Sequence, residues 1–541
     1  MDAYSVTYNN SIEKRELSRI YQDLFAFQAR FPVSPPISDK SSLTSTMSSP
    51  RSSQFSSRHI GIIGAGISGL RCADILLSHG FQVTILEGRN RIGGRVCQET
   101  LKNGHDVDMG ANWVHGTLDN PIFEIAKMTG TACSGWDATQ LVCDENGELL
   151  STADRTELAD MMWSIILDAF AHSNLNSATI SPKESLYDWF KQEIPKRIPE
   201  STDGWQRKRL VVLQMAEMWG AFIGSPVYSQ SLKFFWLEEC IEGENLFCEG
   251  TYRDILAVIA QNALERAEVK YEAIVEKIKY RALETDDQQV LVQTRNGETF
   301  LFDDVVVTTP LGWLKQHKEA FEPELPARLS VAIDSIGYGC LEKVYIVFET
   351  AFWQTTTTSA DNDIQFQGFC QWLSPKYSPS TNPHYWAQEM VELASLSSPK
   401  DSHNTLLFYT YGDQSRNLTS TLRALSSSEE KRAYLISFFG PYIARLPNYD
   451  ATNPACAVVD CLASDWLGDE LAGYGSYGNF QVGLTEGDKD IEAMRHGVPE
   501  RGLWFAGEHT APFVALGTTT GAYWSGEAVG KRIVERYGSI M

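Results

Sequence analysis

The chain has 541 residues, 43% of them apolar, which suffices for a large buried core and more than one domain. Its 46 basic and 69 acidic residues leave a net charge of −23, which argues against nucleic acid or an anionic membrane as partner and suits a cationic small molecule. The ten cysteines show no CxxC or zinc-like spacing, so neither a disulfide framework nor a metal site is expected and a reducing compartment is favoured.

Residues 1–57 form a zone of their own. Leu17, Ile20, Tyr21, Leu24 and Phe25 share one face of a helix predicted over 11–30. The serine- and proline-rich stretch 31–57 reads as a flexible N-terminal extension. The first residues lack the basic and apolar parts of a secretory signal, and no later run is long enough to span a bilayer. The final Gly538-Ser539-Ile540-Met541 is not a standard peroxisomal tripeptide. A cytoplasmic location is expected, with the peroxisome left open.

His59-Ile60-Gly61-Ile62-Ile63 is a short β-branched run suited to a buried strand of a parallel sheet. Gly64-Ala65-Gly66-Ile67-Ser68-Gly69 follows, then an amphipathic helix over 70–78 and a second strand over 81–86. Glu87 stands at the end of that strand, 18 residues after Gly69. This order of strand, GxGxxG, helix, strand and acid is the full dinucleotide-binding context. Gly64 permits the tight turn, Gly66 lets the backbone approach a pyrophosphate, and Gly69 lets helix and strand pack closely. The helix N-terminus favours phosphate, and the Glu87 carboxylate can accept both ribose hydroxyls.

Gly88-Arg89-Asn90-Arg91-Ile92-Gly93-Gly94-Arg95 resembles the RxGGR segment of the flavin-containing amine oxidase family. The resemblance implies FAD, non-covalent attachment being favoured over covalent, with Arg89 and Arg95 meeting pyrophosphate charge and Gly94 letting main chain run close to the cofactor. Asp106-Val107-Asp108-Met109-Gly110-Ala111-Asn112-Trp113-Val114-His115-Gly116 resembles the family segment that passes under the flavin. By that likeness Gly110, Ala111, Asn112 and Trp113 contact the cofactor, and His115 is a substrate-facing catalytic residue, as in the animal acetylpolyamine and spermine oxidases. Without the family context, His115 reads as a histidine satisfied by the fold.

Residues 120–230 read as mainly helical, with helices over 155–171, 185–190 and 208–222, and Met161, Met162, Met215 and Met218 as core filling. Glu238, Glu239, Glu242 and Glu244 read as a solvated face. From 269 the period shifts toward two, predicting strands over 271–280, 289–294, 299–302 and 305–308. The run 305–312 resembles the family's return strand beside the adenine half of FAD. Lys343, inside an apolar strand, reads by itself as an edge-strand charge that deters aggregation. By resemblance it is instead the catalytic lysine that holds a water near flavin N5.

Near the C-terminus, residues 466–477 resemble the WxxD…GSY element, which places Trp466 and Tyr477 beside the cofactor. Leu503-Trp504-Phe505-Ala506-Gly507-Glu508-His509-Thr510 resembles the FAGEHT signature, with Gly507 and Glu508 at FAD. Thr518 and Thr519 then lead into a final helix whose N-terminus is directed at the flavin. Many relatives carry a tyrosine and a histidine in this stretch. Here 511–520 has neither, so Phe513 is the candidate aromatic wall, and Tyr477 and His115 complete the expected substrate-binding set.

The motifs span residues 58–534 and identify the chain as a member of the flavin-containing amine oxidases, of polyamine oxidase type. The resemblance implies an α/β protein, a Rossmann-type FAD-binding domain with a discontinuous α+β substrate-binding domain. The first covers 58–119, 231–320 and 451–541, the second 120–230 and 321–450. The implied reaction is hydride transfer from a polyamine or acetylated polyamine to flavin, imine hydrolysis, and reoxidation by oxygen to hydrogen peroxide. Alternatives are a bulkier or secondary-metabolite amine, a histone-lysine-demethylase-like activity and an L-amino-acid oxidase. No long antiparallel helical insertion supports the demethylase, and no arginine is identifiable for an amino-acid carboxylate.

Overall fold

The computed structural model describes residues 58–136, 140–282, 289–354, 366–396 and 403–538; the helix expected over 11–30 lies outside them. Eleven strands carry the two main sheets. In chain order the first six are β1 (His59–Ile63), β2 (Gln82–Leu86), β3 (Leu141–Cys143), β4 (Glu268–Lys270), β5 (Asp304–Val307) and β6 (Leu341–Phe348). The rest are β7 (Phe369–Trp372), β8 (Gln388–Glu392), β9 (Thr405–Tyr411), β10 (Val458–Ala463) and β11 (Leu503–Phe505).

The first sheet is parallel throughout, in the order β11-β5-β1-β2-β4. Its strands come from three distant stretches of chain. Ile60, Ile62, Val305, Val306, Val307 and Leu503 are fully or almost fully buried, as strands covered on both faces require. Helix α1 (Ile67–Ser78) follows the glycine turn and buries Leu70, Cys72, Ala73, Leu76 and Leu77. The last helix described, α5 (Thr519–Gly538), crosses it so closely that a Cβ on Gly526 would lie 2.1 Å from the Ser68 carbonyl oxygen. Between these two in chain order come α2 (Thr152–Asn176), α3 (Leu186–Arg197) and α4 (Trp205–Ala216), which form a separate layer. They pack around Met162, Phe190, Met215 and Trp219, with the methionines filling core as expected.

The second sheet runs β10-β6-β9-β8-β7-β3, antiparallel except for the β7–β3 pair. This order corrects the edge-strand reading of Lys343. β6 pairs with β9 on one side and β10 on the other, and every residue from 342 to 348 is buried.

Other expectations also shift. The strand predicted over 271–280 starts only at Val275, because Glu272 adopts a φ of +55° in the preceding turn. The helix predicted over 208–222 ends as an α-helix at Ala216, tightens to a 3-10 turn over Glu217–Trp219 and resumes as one α-helical turn, Gly220–Ile223; at the break the Tyr411 hydroxyl donates to the Glu217 carbonyl, at 2.6 Å. Of the four glutamates read as a solvated face, Glu242 and Glu244 are exposed, whereas Glu238 and Glu239 are half-buried. The turn Phe235–Glu238 tucks Glu238 inward, where burial pushes its carboxyl up to about 8 despite a backbone N–H from Phe480.

Candidate active site

The three glycines of the fingerprint have different physical causes. Gly64 adopts a φ of +104°, which a side chain strains. A Cβ on Gly69 would meet the Gly64 carbonyl oxygen at 2.1 Å. Gly66 has neither reason: its backbone is extended and a Cβ there would find no protein atom nearer than 4.0 Å. The surface it leaves bare is what close approach of a pyrophosphate needs. Ser68 Oγ, within this turn, is buried and without a partner among the described residues, and so is Thr309 Oγ1 just after the neighbouring strand β5. The residues present thus fit a dinucleotide.

Glu87 is buried, and its carboxylate does more than the sequence suggested. Oε2 accepts the Ala65 N–H at 2.7 Å and Oε1 the Arg89 N–H at 2.8 Å, which ties the glycine turn to the arginine segment. Each oxygen keeps a lone pair for a ribose hydroxyl. The Arg89 guanidinium pairs with Asp469 at 2.8 Å, so its charge is already engaged. Arg95 pairs with Glu508 at 3.0 Å and donates to the Ser476 carbonyl at 2.6 Å. One ion pair therefore joins the arginine segment to the C-terminal signature. Gly94 takes a φ of +58° beside Gly66, while a Cβ on Gly507 would lie 2.7 Å from the His509 ring. His509 is buried, and neither ring nitrogen has a partner among the described residues.

The segment 108–113 passes below the second sheet. Lys343 Nζ donates to the Gly110 carbonyl and, at 3.4 Å, to that of Asp108. Trp466 Nε1 donates to the Met109 carbonyl at 3.1 Å. Asn112 Nδ2 and Trp113 Nε1 both donate to the Tyr409 hydroxyl, at 3.1 and 3.0 Å, while Ala111 is half-buried between them and Gly110. Burial holds the Lys343 ammonium well below the usual lysine range, opposed by the Asp108 carboxylate, which burial raises in turn. Sequence reasoning missed Asp108 and Tyr409. Asp108 stood inside a quoted motif, and Tyr409 becomes visible only through its register opposite Lys343.

The expected substrate residues spread more widely. His115 is half-buried, and burial lowers its pKa against a hydrogen bond to Asn245. The Tyr477 hydroxyl donates to the Phe222 carbonyl at 2.6 Å. Phe513 stands edge-on to Trp236 at 5.3 Å, with the Arg495 guanidinium 4.9 Å from its ring centroid. Thr518 Oγ1 accepts the Gly521 N–H at 2.9 Å and so caps α5, while the Thr519 hydroxyl meets that of Tyr252 at 3.1 Å. Trp113 also belongs to an aromatic cluster with Trp136, Phe247 and Phe369, which the motifs did not single out; the ring centroids lie 5.4 to 6.1 Å apart.

The sequence profile described as flavin containing amine oxidoreductase matches residues 67–534. Probable polyamine oxidase 4 of Arabidopsis thaliana is 30% identical over 301 residues, covering 54% of this chain and 58% of the relative. Polyamine oxidase 2 of the same plant is 27% identical over 499 residues, 88% of this chain and 89% of the relative. Relatives named as lysine-specific histone demethylase homologues also match, and this chain spans only 35 to 56% of their length in the plant examples. A double mutant of putrescine oxidase, redesigned in cofactor binding, superimposes with a TM-score of 0.61 at 18% identity, over 88% of this chain and 99% of that one; this likeness concerns the fold.

Proposed function

This chain belongs to the flavin-containing amine oxidoreductase family and takes FAD as its cofactor, and from that premise we propose that it oxidises a polyamine or acetylated polyamine and releases hydrogen peroxide. The observation that carries the reading is the convergence of Lys343, the Gly110 main chain, Trp466 and the Asn112–Tyr409 hydrogen bond beneath one sheet face. Bound FAD supplies a two-electron acceptor for hydride from the carbon beside the amine nitrogen, and oxygen then takes the electrons. The chain's own share is orientation and desolvation. Lys343, tied to the Gly110 carbonyl, holds a proton where oxygen is reduced, and the aromatic cluster keeps water away from the reacting carbon. The same reading assigns FAD to 58–119, 231–320 and 451–541, and the amine to 120–230 and 321–450, with His115, Tyr477 and Phe513 on the amine side.

Support for a polyamine comes from the acidic balance of the chain and its relation to polyamine oxidase 2 across most of its length. The test is peroxide release by the holoenzyme with spermine, spermidine, their acetylated forms, putrescine, benzylamine and a bulkier secondary-metabolite amine. A polyamine should lead by kcat/KM. A leading monoamine would overturn the substrate class, and no peroxide with any amine would overturn the oxidase reading. Phe513 is already engaged, edge-on by Trp236 and by the Arg495 guanidinium, which favours the bulkier amine as second reading.

Glu87→Ala should lose FAD, by about 1.5–3 kcal/mol of binding for a charge-assisted hydrogen-bonding group. The variant also frees the Ala65 and Arg89 N–H groups, so its apoprotein should melt earlier than the wild-type apoprotein. Calorimetry of both apoproteins and FAD titration separate the two effects. Unchanged FAD affinity would leave Glu87 with a structural role alone.

A further inference from the structure

A polar row crosses the second sheet from Lys343 to three residues that no motif named. Lys343 on β6 is paired with Tyr409 on β9, Tyr409 with Glu389 on β8, and Glu389 with Gln371 on β7. Directly opposed residues project to the same face, so the four side chains stand in line. On the other face their neighbours Val344, Phe408, Met390 and Cys370 are apolar core. With neighbouring strands about 4.8 Å apart, Glu389 lies roughly 10 Å across the sheet from Lys343. Apolar Leu407 and Val391 continue the Lys343 face alongside the row, with Phe369 and Trp113 partly buried against them.

Glu389 is 7% exposed and Gln371 4%. Gln371 Nε2 donates to Glu389 Oε2 at 3.1 Å, which orients the amide and leaves its own carbonyl oxygen buried without a donor. Among the described residues Glu389 forms no ion pair, and the one cation in the row, Lys343, is directed at the Gly110 and Asp108 carbonyls. A carboxylate and an amide oxygen therefore face one apolar surface with too few N–H donors between them. Burying such acceptors is costly unless donors arrive from elsewhere. The cost shows in the Glu389 carboxyl, which burial pushes up to about 7. A group bearing positive charge and two or more N–H bonds would satisfy both acceptors at once.

We propose that Glu389 and Gln371 form the subsite for the distal ammonium group of a diamine or polyamine whose other end is oxidised beside Lys343. The proposal rests on the amine-oxidising reading above. It adds what selects the substrate: a monoamine reaches the reacting position but leaves this pair unsatisfied. An extended alkyl chain with a nitrogen at each end spans the separation between Lys343 and Glu389, and Tyr409 lies along its course.

The test uses FAD-loaded protein and the variants Glu389→Gln and Glu389→Asp. Spermidine binding is measured by equilibrium dialysis on dithionite-reduced holoenzyme under nitrogen, where no turnover occurs. Glu389→Gln should raise the dissociation constant about 10- to 100-fold, the range for a lost charge-assisted hydrogen bond. Glu389→Asp, which keeps the charge, should recover part of it. In steady state the kcat/KM ratio of spermidine to n-butylamine should fall by a similar factor in Glu389→Gln, through KM more than kcat. Unchanged spermidine binding in Glu389→Gln, or an unchanged ratio, would overturn the subsite. Should Glu389→Gln not fold, Gln371→Leu decides the matter: it removes the orienting amide and should weaken spermidine binding, and unchanged binding there also overturns the proposal. If the wild type oxidises no amine, the functional reading fails, while dialysis still decides whether this pair binds a polycation.

Discussion

Gly66→Ala should give a folded, colourless protein, whereas Gly69→Ala should give little folded protein at all. At Gly66 the φ of −77° and ψ of 176° suit alanine, and the added methyl meets nothing within van der Waals contact. Its effect on apoprotein stability should stay within about 0.5 kcal/mol. FAD affinity, by contrast, should fall at least about 100-fold, because the methyl fills the surface over which the pyrophosphate must lie. At Gly69 the methyl is forced to 2.1 Å from the Gly64 carbonyl, a backbone atom that cannot swing aside. Overpacking of that kind costs about 3 kcal/mol or more. Urea unfolding of the apoproteins and flavin absorbance after FAD titration read the two effects separately. A yellow Gly66→Ala variant with wild-type affinity would place the pyrophosphate elsewhere.

Lys343→Met should keep the fold and FAD but react with oxygen about 100-fold more slowly once reduced, with a smaller loss in anaerobic reduction by amine. The side chain is 4% exposed on an interior strand, so methionine replaces it at similar bulk and removes a desolvated cation. A preorganised charge in a dry site is worth about 2.7–4 kcal/mol to a developing anion, the scale of one oxyanion donor. The pH dependence follows from the depressed lysine pKa. The ammonium is present at low pH and lost as pH rises through a value well below 10.5, so oxygen reactivity of the wild type should decline across that transition. In Lys343→Met this decline should vanish. Stopped-flow measurement of both half-reactions checks it, and equal oxygen rates in variant and wild type would leave Lys343 as a structural tie to Gly110.

For stability the same lysine has the opposite sign of effect to a favourable ion pair. Its pKa is lower folded than unfolded, so between those two values the unfolded chain holds the extra proton and folding is disfavoured. Lys343→Met should therefore not lose stability near neutral pH, and a stabilised apoprotein is the expected outcome.

Much of this was legible from local pattern. The order from His59 to Glu87 specifies strand, turn and helix by short-range sterics, which is why α1 and the parallel strand pair lie where periodicity put them. The roles of Gly64 and Gly69 follow from backbone conformation and contact within a few residues. Registers between distant strands were not legible, because no local preference encodes which strand becomes a neighbour. Lys343 alone reads equally well as an edge charge or a buried cation. Only the pairing of β6 with both β9 and β10 decides it. The Arg95–Glu508 pair, 413 positions apart, and the acceptor pair of Glu389 and Gln371 exist only because the chain returns to the same place. Local pattern is enough to specify the nucleotide-binding turn and the family. Tertiary structure alone decided which buried charges meet partners, since solvation and pairing depend on what the fold brings together rather than on what is adjacent along the chain.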